Sequence, residues 1–449
     1  MAIALTTVSL LACSSSAEPP APSSAGEAQT TQDLAALPAA QLRSLLHDGP
    51  FGLHALGDEP VPPPIGGHII DQAAAVRLGK AFFWDIQASG DGTIACGACH
   101  ASWGSDARTF NVVNPGLDNV FGSSGVTGTN QVFRPHNITD DDIIGAQGVA
   151  LASFVSINPD PTVAADNCDP LEDAMFGFAR QVNFRQAPMI WGAGFMRQLF
   201  WAGEASDQFN GATIWGFGPN GFGISFTHID QAPLASQAVG PTGNFQEMTC
   251  LGRHQTGVSN SLAAKMLARQ PLQHQHVSTT DSVLGSLARA DAKGLWCGDQ
   301  PCKYLDMITA AFGPEMAART TSIWTTIWGE AVEAYEQTLI PDKTPFDKFF
   351  SGNLLAMTPK QVLGLATFVG RGNCVTCHAG PMMSDATLAF YQKNGAINRD
   401  GGDTGFHNIG MLNSDFDKGR GDLGPAGVAF SQSGSPFDLY AFKTPTLRN

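Results

Sequence analysis

Apolar side chains recur at helical spacing in three stretches of this chain, and strand-like alternation is sparse throughout. After Asp71, a good N-cap, residues Gln72–Phe83 place Ala75, Leu78, Phe82 and Phe83 on one face. Thr358, followed by Pro359 at the first helical position, opens a second helix striped by Val362, Leu365, Ala366 and Val369. Between them a longer helix is predicted over about Pro314–Leu339, where Ile323, Trp324, Ile327, Trp328, Ala331, Val332 and Tyr335 follow the i, i+3, i+4 pattern. Its tryptophans read as core rather than as redox centres. Residues 102–183 and 203–231 lack periodicity and are rich in Gly, Asn, Asp and aromatics, so they read as long ordered loops. The predicted fold is mainly α.

Composition narrows the picture. A chain of 449 residues, 43% hydrophobic, can hold two or three domains with ordinary cores. With 14% charged residues, 50 Gly and 28 Pro, many ordered loops should surround the helices. The net charge of −15 argues against a nucleic-acid partner and suits the steering of a small basic redox partner. The apolar run Met1–Cys13, ending Leu10-Leu11-Ala12-Cys13, reads as a bacterial lipoprotein signal with Cys13 lipidated, although the usual basic residues are missing from its start. Residues 14–45, rich in Ser, Ala and Pro, then read as a flexible tether. Since no run of 18 apolar residues follows, membrane contact is expected only through a lipid anchor, on the periplasmic side of the outer membrane.

The chemistry resides in two five-residue segments, Cys96-Gly97-Ala98-Cys99-His100 and Cys374-Val375-Thr376-Cys377-His378. Cys-x-x-Cys-His is the attachment signature of a covalent c-type haem. Two thiols one helical turn apart can add to the two vinyl groups while the adjacent imidazole reaches the iron. A zinc knuckle or a redox disulfide would use a Cys pair, but neither requires the fixed His. Each motif follows one of the capped helices, so the two halves repeat one plan: two cytochrome-c-like helical domains, each with a haem, plus long ordered loop insertions. Cys96, Cys99, Cys374 and Cys377 are then the thioether residues, and His100 and His378 the iron ligands. Cys168, Cys250, Cys297 and Cys302 remain as an even set, which leaves open two disulfides, Cys297–Cys302 with Cys168–Cys250, or four free buried thiols.

Other landmarks carry a resemblance. Leu78-Gly79-Lys80-Ala81-Phe82-Phe83-Trp84-Asp85, Arg185-Gln186-Ala187-Pro188, Phe200-Trp201-Ala202-Gly203, Gln237-Ala238 through Gly240-Pro241 to Glu247-Met248, Phe346-Asp347-Lys348, Phe406-His407-Asn408-Ile409-Gly410 and the closing Thr444-Pro445-Thr446-Leu447-Arg448-Asn449 run in one order. Over roughly residues 70–449 the chain resembles the bacterial dihaem cytochrome c peroxidase and MauG family. The resemblance implies that Glu247 is the distal general acid/base, that Gln237 hydrogen-bonds peroxide, that Pro241 packs over the open haem face, and that Trp201 stands between the haems. With the signal at 1–13 and the tether at 14–45 already read from the residues, it implies a peroxidatic haem domain at 46–310 and an electron-transfer haem domain at 311–449. The expected activity is reduction of hydrogen peroxide to water with electrons from a small cytochrome c or cupredoxin; a homodimer is compatible with it. The alternatives are a MauG-like or oxygenase-like enzyme acting on a protein side chain or organic substrate, and an electron-transfer cytochrome without peroxidase activity.

The sequence also departs from the family pattern. No His lies between His136 and His228, so an N-terminal haem with an open site is expected, with capping by His136 as the other possibility. Gln186 replaces the Asn usual at the family's calcium, whose carbonyl oxygen Gln can also offer, so one calcium ion is retained as an expectation. Ala202 and Glu204 alter the charges beside Trp201, and the 203–231 insertion is expected to reshape access to the first haem. The family's sixth ligand to the second haem lies beyond Asn449, so the sequence reads as a fragment; Met411 is a weaker candidate.

Overall fold

The computed structural model describes residues 34, 36–101, 104–109, 111–121, 141–218, 220–221, 227–411 and 417–448. Cys13, most of the tether and His136 lie outside these residues. The helices in chain order are α1 (Ala39–Asp48), α2 (Gln72–Trp84), α3 (Cys96–His100), α4 (Pro233–Ala238), α5 (Leu262–Leu267), α6 (Tyr304–Ala318), α7 (Trp324–Glu336), α8 (Pro345–Phe350), α9 (Pro359–Val369) and α10 (Leu388–Asn394). About 30% of the described residues are helical and 13% are in strands, so among them helix outweighs strand while irregular structure outweighs both.

The two caps form as expected. Asp71 accepts from the Ala74 amide at 2.9 Å, and Thr358 closes a capping box with Gln361. The long helix expected over Pro314–Leu339 is two helices. Thr320 and Ser322 turn their hydroxyls back onto the carbonyls of Ala317 and Arg319 at 2.8 Å, which competes with helix continuation, and α7 begins afresh at Trp324. Residues 147–150 pair with 180–182, 152–156 with 167–170, and 406–407 with 442–443, all antiparallel. The first insertion is therefore laddered, not merely looped.

The largest core is built on α2 against α7. Phe82 stacks on Tyr304 and Trp328 at 4.9 and 4.6 Å, and both Trp324 and Trp328 are fully buried, as core residues should be. The helices touch at Gly79, where a Cβ would collide with the Ala331 carbonyl oxygen. Because one core runs from Ala74 to Tyr335, packing does not divide at residues 310 and 311. A second core joins Leu34, Leu42, Leu46 and Leu53 to Phe349, Phe350, Leu365, Val369 and Val375. Part of the stretch expected to be a tether is thus α1, whose Leu42 and Leu46, four apart, seat it on the helices around the second haem motif. Cys168–Cys250 and Cys297–Cys302 are both disulfide-bonded. No helix among the described residues is long and apolar enough to cross a membrane.

Candidate haem sites

Helix α3 is the first Cys-x-x-Cys-His segment itself. Trp84, ending α2, packs on Gly97 so closely that a Cβ there would come within 2.5 Å of the indole, which fixes the motif against the main core. Cys96 and Cys99, three apart, share a face of the helix, and both thiols are free. The Nδ1 atom of His100 lies 3.1 Å from the Gly104 carbonyl oxygen. A carbonyl only accepts, so Nδ1 carries the proton and the Nε2 lone pair is left for a metal. Burial lowers the His100 pKa and favours this neutral form.

These residues line a cavity of about 690 Å³ whose wall also includes Gln237, Pro241, Glu247 and Trp201. The volume falls within the range of cofactor pockets. Gln237 lies in the last turn of α4, which Trp328 anchors through a 3.0 Å hydrogen bond to the Ala238 carbonyl, and the 3-10 turn Pro241–Gly243 follows directly. Glu247 accepts a 2.7 Å hydrogen bond from the Asn183 amide group. Asn183 is brought there by the pairing of 147–150 with 180–182, a contact that local sequence does not signal. Burial raises the Glu247 carboxyl to a pKa of about 7, the Asn183 hydrogen bond opposing it only in part.

Trp201 donates from Nε1 to the Gln186 carbonyl at 2.8 Å, while its own carbonyl accepts from the Lys443 amide at 2.7 Å. Lys443 belongs to the strand paired with 406–407, so Trp201 links the wall of this cavity to the neighbourhood of the second motif. Gln186 donates from its side-chain nitrogen to the Asp106 carbonyl at 2.8 Å, and its Oε1 atom is buried without a hydrogen-bond partner among the described residues. The unusual Glu204 is absorbed locally: it pairs with Arg185, which also grips Asp417 at 2.7 Å. The 203–231 insertion does reach the cavity, where Trp215 stacks on Phe430 at 5.5 Å.

The second motif has a similar imidazole anchor, with His378 Nδ1 2.9 Å from the Met383 carbonyl oxygen. Cys374–Thr376 forms a 3-10 turn, Cys374 is exposed, and Cys377 lies beside Asp385 and His407, which bond to each other at 2.7 Å. Met411 is exposed.

The sequence profile of di-haem cytochrome c peroxidases matches residues 73–354. The chain belongs to this family. The matched segment holds the first motif, Trp201, Gln237 and Glu247; the second motif follows it. The chain is 22% identical over 351 residues to the cytochrome c551 peroxidase of Nitrosomonas europaea, covering 76% of each. It is 29% identical over 150 residues to the cytochrome-c peroxidase IdrP1 of Denitromonas iodatirespirans, covering 30% of this chain and 39% of that one. With the methylamine utilization protein MauG of Methylophilus methylotrophus it shares 27% identity over 148 residues, 32% of this chain and 34% of that one. A solved MauG-like protein associated with microbial copper homeostasis aligns over 87% of this chain and 73% of its own, with a TM-score of 0.44 and 19% identity. Family membership implies haem c. Both donor sets fit it: paired free thiols and an imidazole with Nδ1 already bonded, enclosed in the first case by a cavity. The sequence reading named the residues of the two haem motifs and did not name Asn183 or the buried glutamates of α7.

Proposed function

We propose that this protein reduces hydrogen peroxide to water at the haem held by Cys96, Cys99 and His100. The observation that carries this reading is the buried carboxyl of Glu247, in the same cavity as that donor set and with a pKa of about 7. A general acid/base works best when its pKa lies near the operating pH. When bound, the haem supplies the Lewis-acidic iron and the redox equivalents. Ionised Glu247 accepts the proton from the near peroxide oxygen and returns it to the leaving oxygen, while Asn183 holds the carboxyl in place. Gln237 hydrogen-bonds the peroxide, and Pro241 limits water in the cavity. Cys374, Cys377 and His378 would hold the second haem, which would supply an entry point for electrons from a small cytochrome c or cupredoxin, and Trp201 stands in the wall between the two sites.

The two disulfides support an oxidising compartment, hence the periplasm, with Cys13 as the lipid anchor. The unpartnered Gln186 oxygen supports a calcium ion nearby. Peroxide turnover with a reduced small cytochrome, compared between wild type and Glu247→Gln, tests the mechanism; equal rates would reject it.

A further inference from the structure

Helix α7 carries glutamates at three successive i+3 positions, Glu330, Glu333 and Glu336, and they are 3%, 1% and 2% exposed. Residues three apart on a helix have Cβ atoms about 5–6 Å apart, so the carboxyls form a row. At one end, Glu330 bonds His68 through Nδ1 at 2.7 Å and through the main-chain amide at 2.6 Å, and the His68 side chain remains 32% exposed. At the other end, Glu336 lines the haem cavity. Between them, among the described residues, neither oxygen of Glu333 has a hydrogen bond of good geometry, nor has one oxygen of Glu336. A buried carboxyl without a hydrogen-bond partner is unfavourable in a core, and more so if ionised. Leu or Met would fill the same space at no such cost.

We propose that Glu330, Glu333 and Glu336 form a proton path from His68 at the surface to the haem cavity. The proposal rests on the peroxidase reading. Each peroxide reduced to two waters takes up two electrons from the donor and two protons from solvent. Glu247 moves a proton from one oxygen to the other and ends as it began, so both balancing protons must come from outside the cavity. A neutral carboxyl relays a proton by accepting on its carbonyl oxygen and releasing from its hydroxyl, with water bridging the gaps.

The surroundings favour that neutral form. Burial, then the neighbouring Glu330 and Glu336, push Glu333 well above the carboxylate range, against one favourable dipole, the Ala235 amide on α4. Burial alone brings Glu336 to about 8. The other charged or titratable groups around the row are His68, with Arg319 acting on it; Tyr335, with Lys80 5.7 Å from its ring and Asp281 paired to that Lys; and Cys96 beside Glu336. Among the described residues, neither Glu333 nor Glu336 forms an ion pair.

The test uses the haem-loaded protein. Glu333→Gln and Glu336→Gln should each slow peroxide turnover by about tenfold, less than the 10²–10⁴ of a direct general acid/base, with a larger solvent deuterium isotope effect and partial rescue by added imidazole. Glu333→Met, which fills the volume without a polar group, should behave alike and guards against a folding artefact. Infrared spectra of the resting protein at pH 7 should show a protonated-carboxyl band that shifts in D₂O and is lost in Glu333→Gln. Turnover within twofold of wild type in all three variants would overturn the path, as would absence of that band. Wild type without peroxide turnover would instead sink the peroxidase reading, leaving the band and its D₂O exchange to judge the row.

Discussion

At His100 the ring Nδ1 donates to Gly104 at 3.1 Å, and at His378 to Met383 at 2.9 Å, so the two motifs present their imidazoles in the same way. What surrounds them differs. The first pair of thiols opens into a cavity with Glu247, Gln237 and Glu336; in the second, Cys374 is exposed and Cys377 sits by a hydrogen-bonded Asp385–His407 pair. The motif therefore fixes how an iron would be held, and the surrounding chain decides what could happen there. At the first site that surrounding comes from the laddered insertion, α4 and α7. At the second it comes from α1, α8 and α9.

The contrast is most exposed to Glu247→Gln. Steady-state peroxide turnover should fall about 10²–10⁴-fold, while the redox titration of the second haem stays unchanged. Loss of both would mean that the sites are not separable. Next in size, Leu42→Ala should destabilise the second core by about 2–5 kcal/mol. Denaturation followed by absorbance should then release the second haem's environment at lower denaturant than the first's, whereas a single coincident shift would show one cooperative unit.

Smaller effects should sharpen the first site. Peroxide turnover should rise with pH through about 7 as Glu247 ionises. It should fall again through about 8 as Glu336 loses the proton it relays. Asn183 favours the charged form of Glu247, so Asn183→Ala should move the rising limb to higher pH and lower kcat several-fold at neutrality, by about 1 kcal/mol for one hydrogen bond. A rising limb that stays put would remove Asn183 from the site.

Legibility followed the range of the interactions. Asp71, Thr358 and the two haem motifs are readable because a cap or an attachment segment is decided within four or five residues. Glu247 and Gln237 are named through resemblance alone, since ten residues of irregular chain carry no periodic signal. Asn183 reaches Glu247 through a ladder between 147–150 and 180–182, and local sequence says nothing of it. Helix α1 was hidden because two leucines in an Ala- and Pro-rich stretch look like a tether until their partners, Phe349 and Val369, are known. The break before Trp324 was readable in principle from Thr320, Thr321 and Ser322, but the apolar stripe masked it.

The fully buried Glu333, with no ion pair among the described residues to offset its burial, has a consequence for anyone who would improve this protein. Replacing it with Leu should raise the melting temperature, because an apolar side chain suits that place better than a carboxyl. A library screened for heat tolerance would therefore enrich Leu or Met at this position and reward variants whose turnover had been throttled. Ranking by robustness and ranking by rate would point in opposite directions at a residue that touches neither thiol nor imidazole.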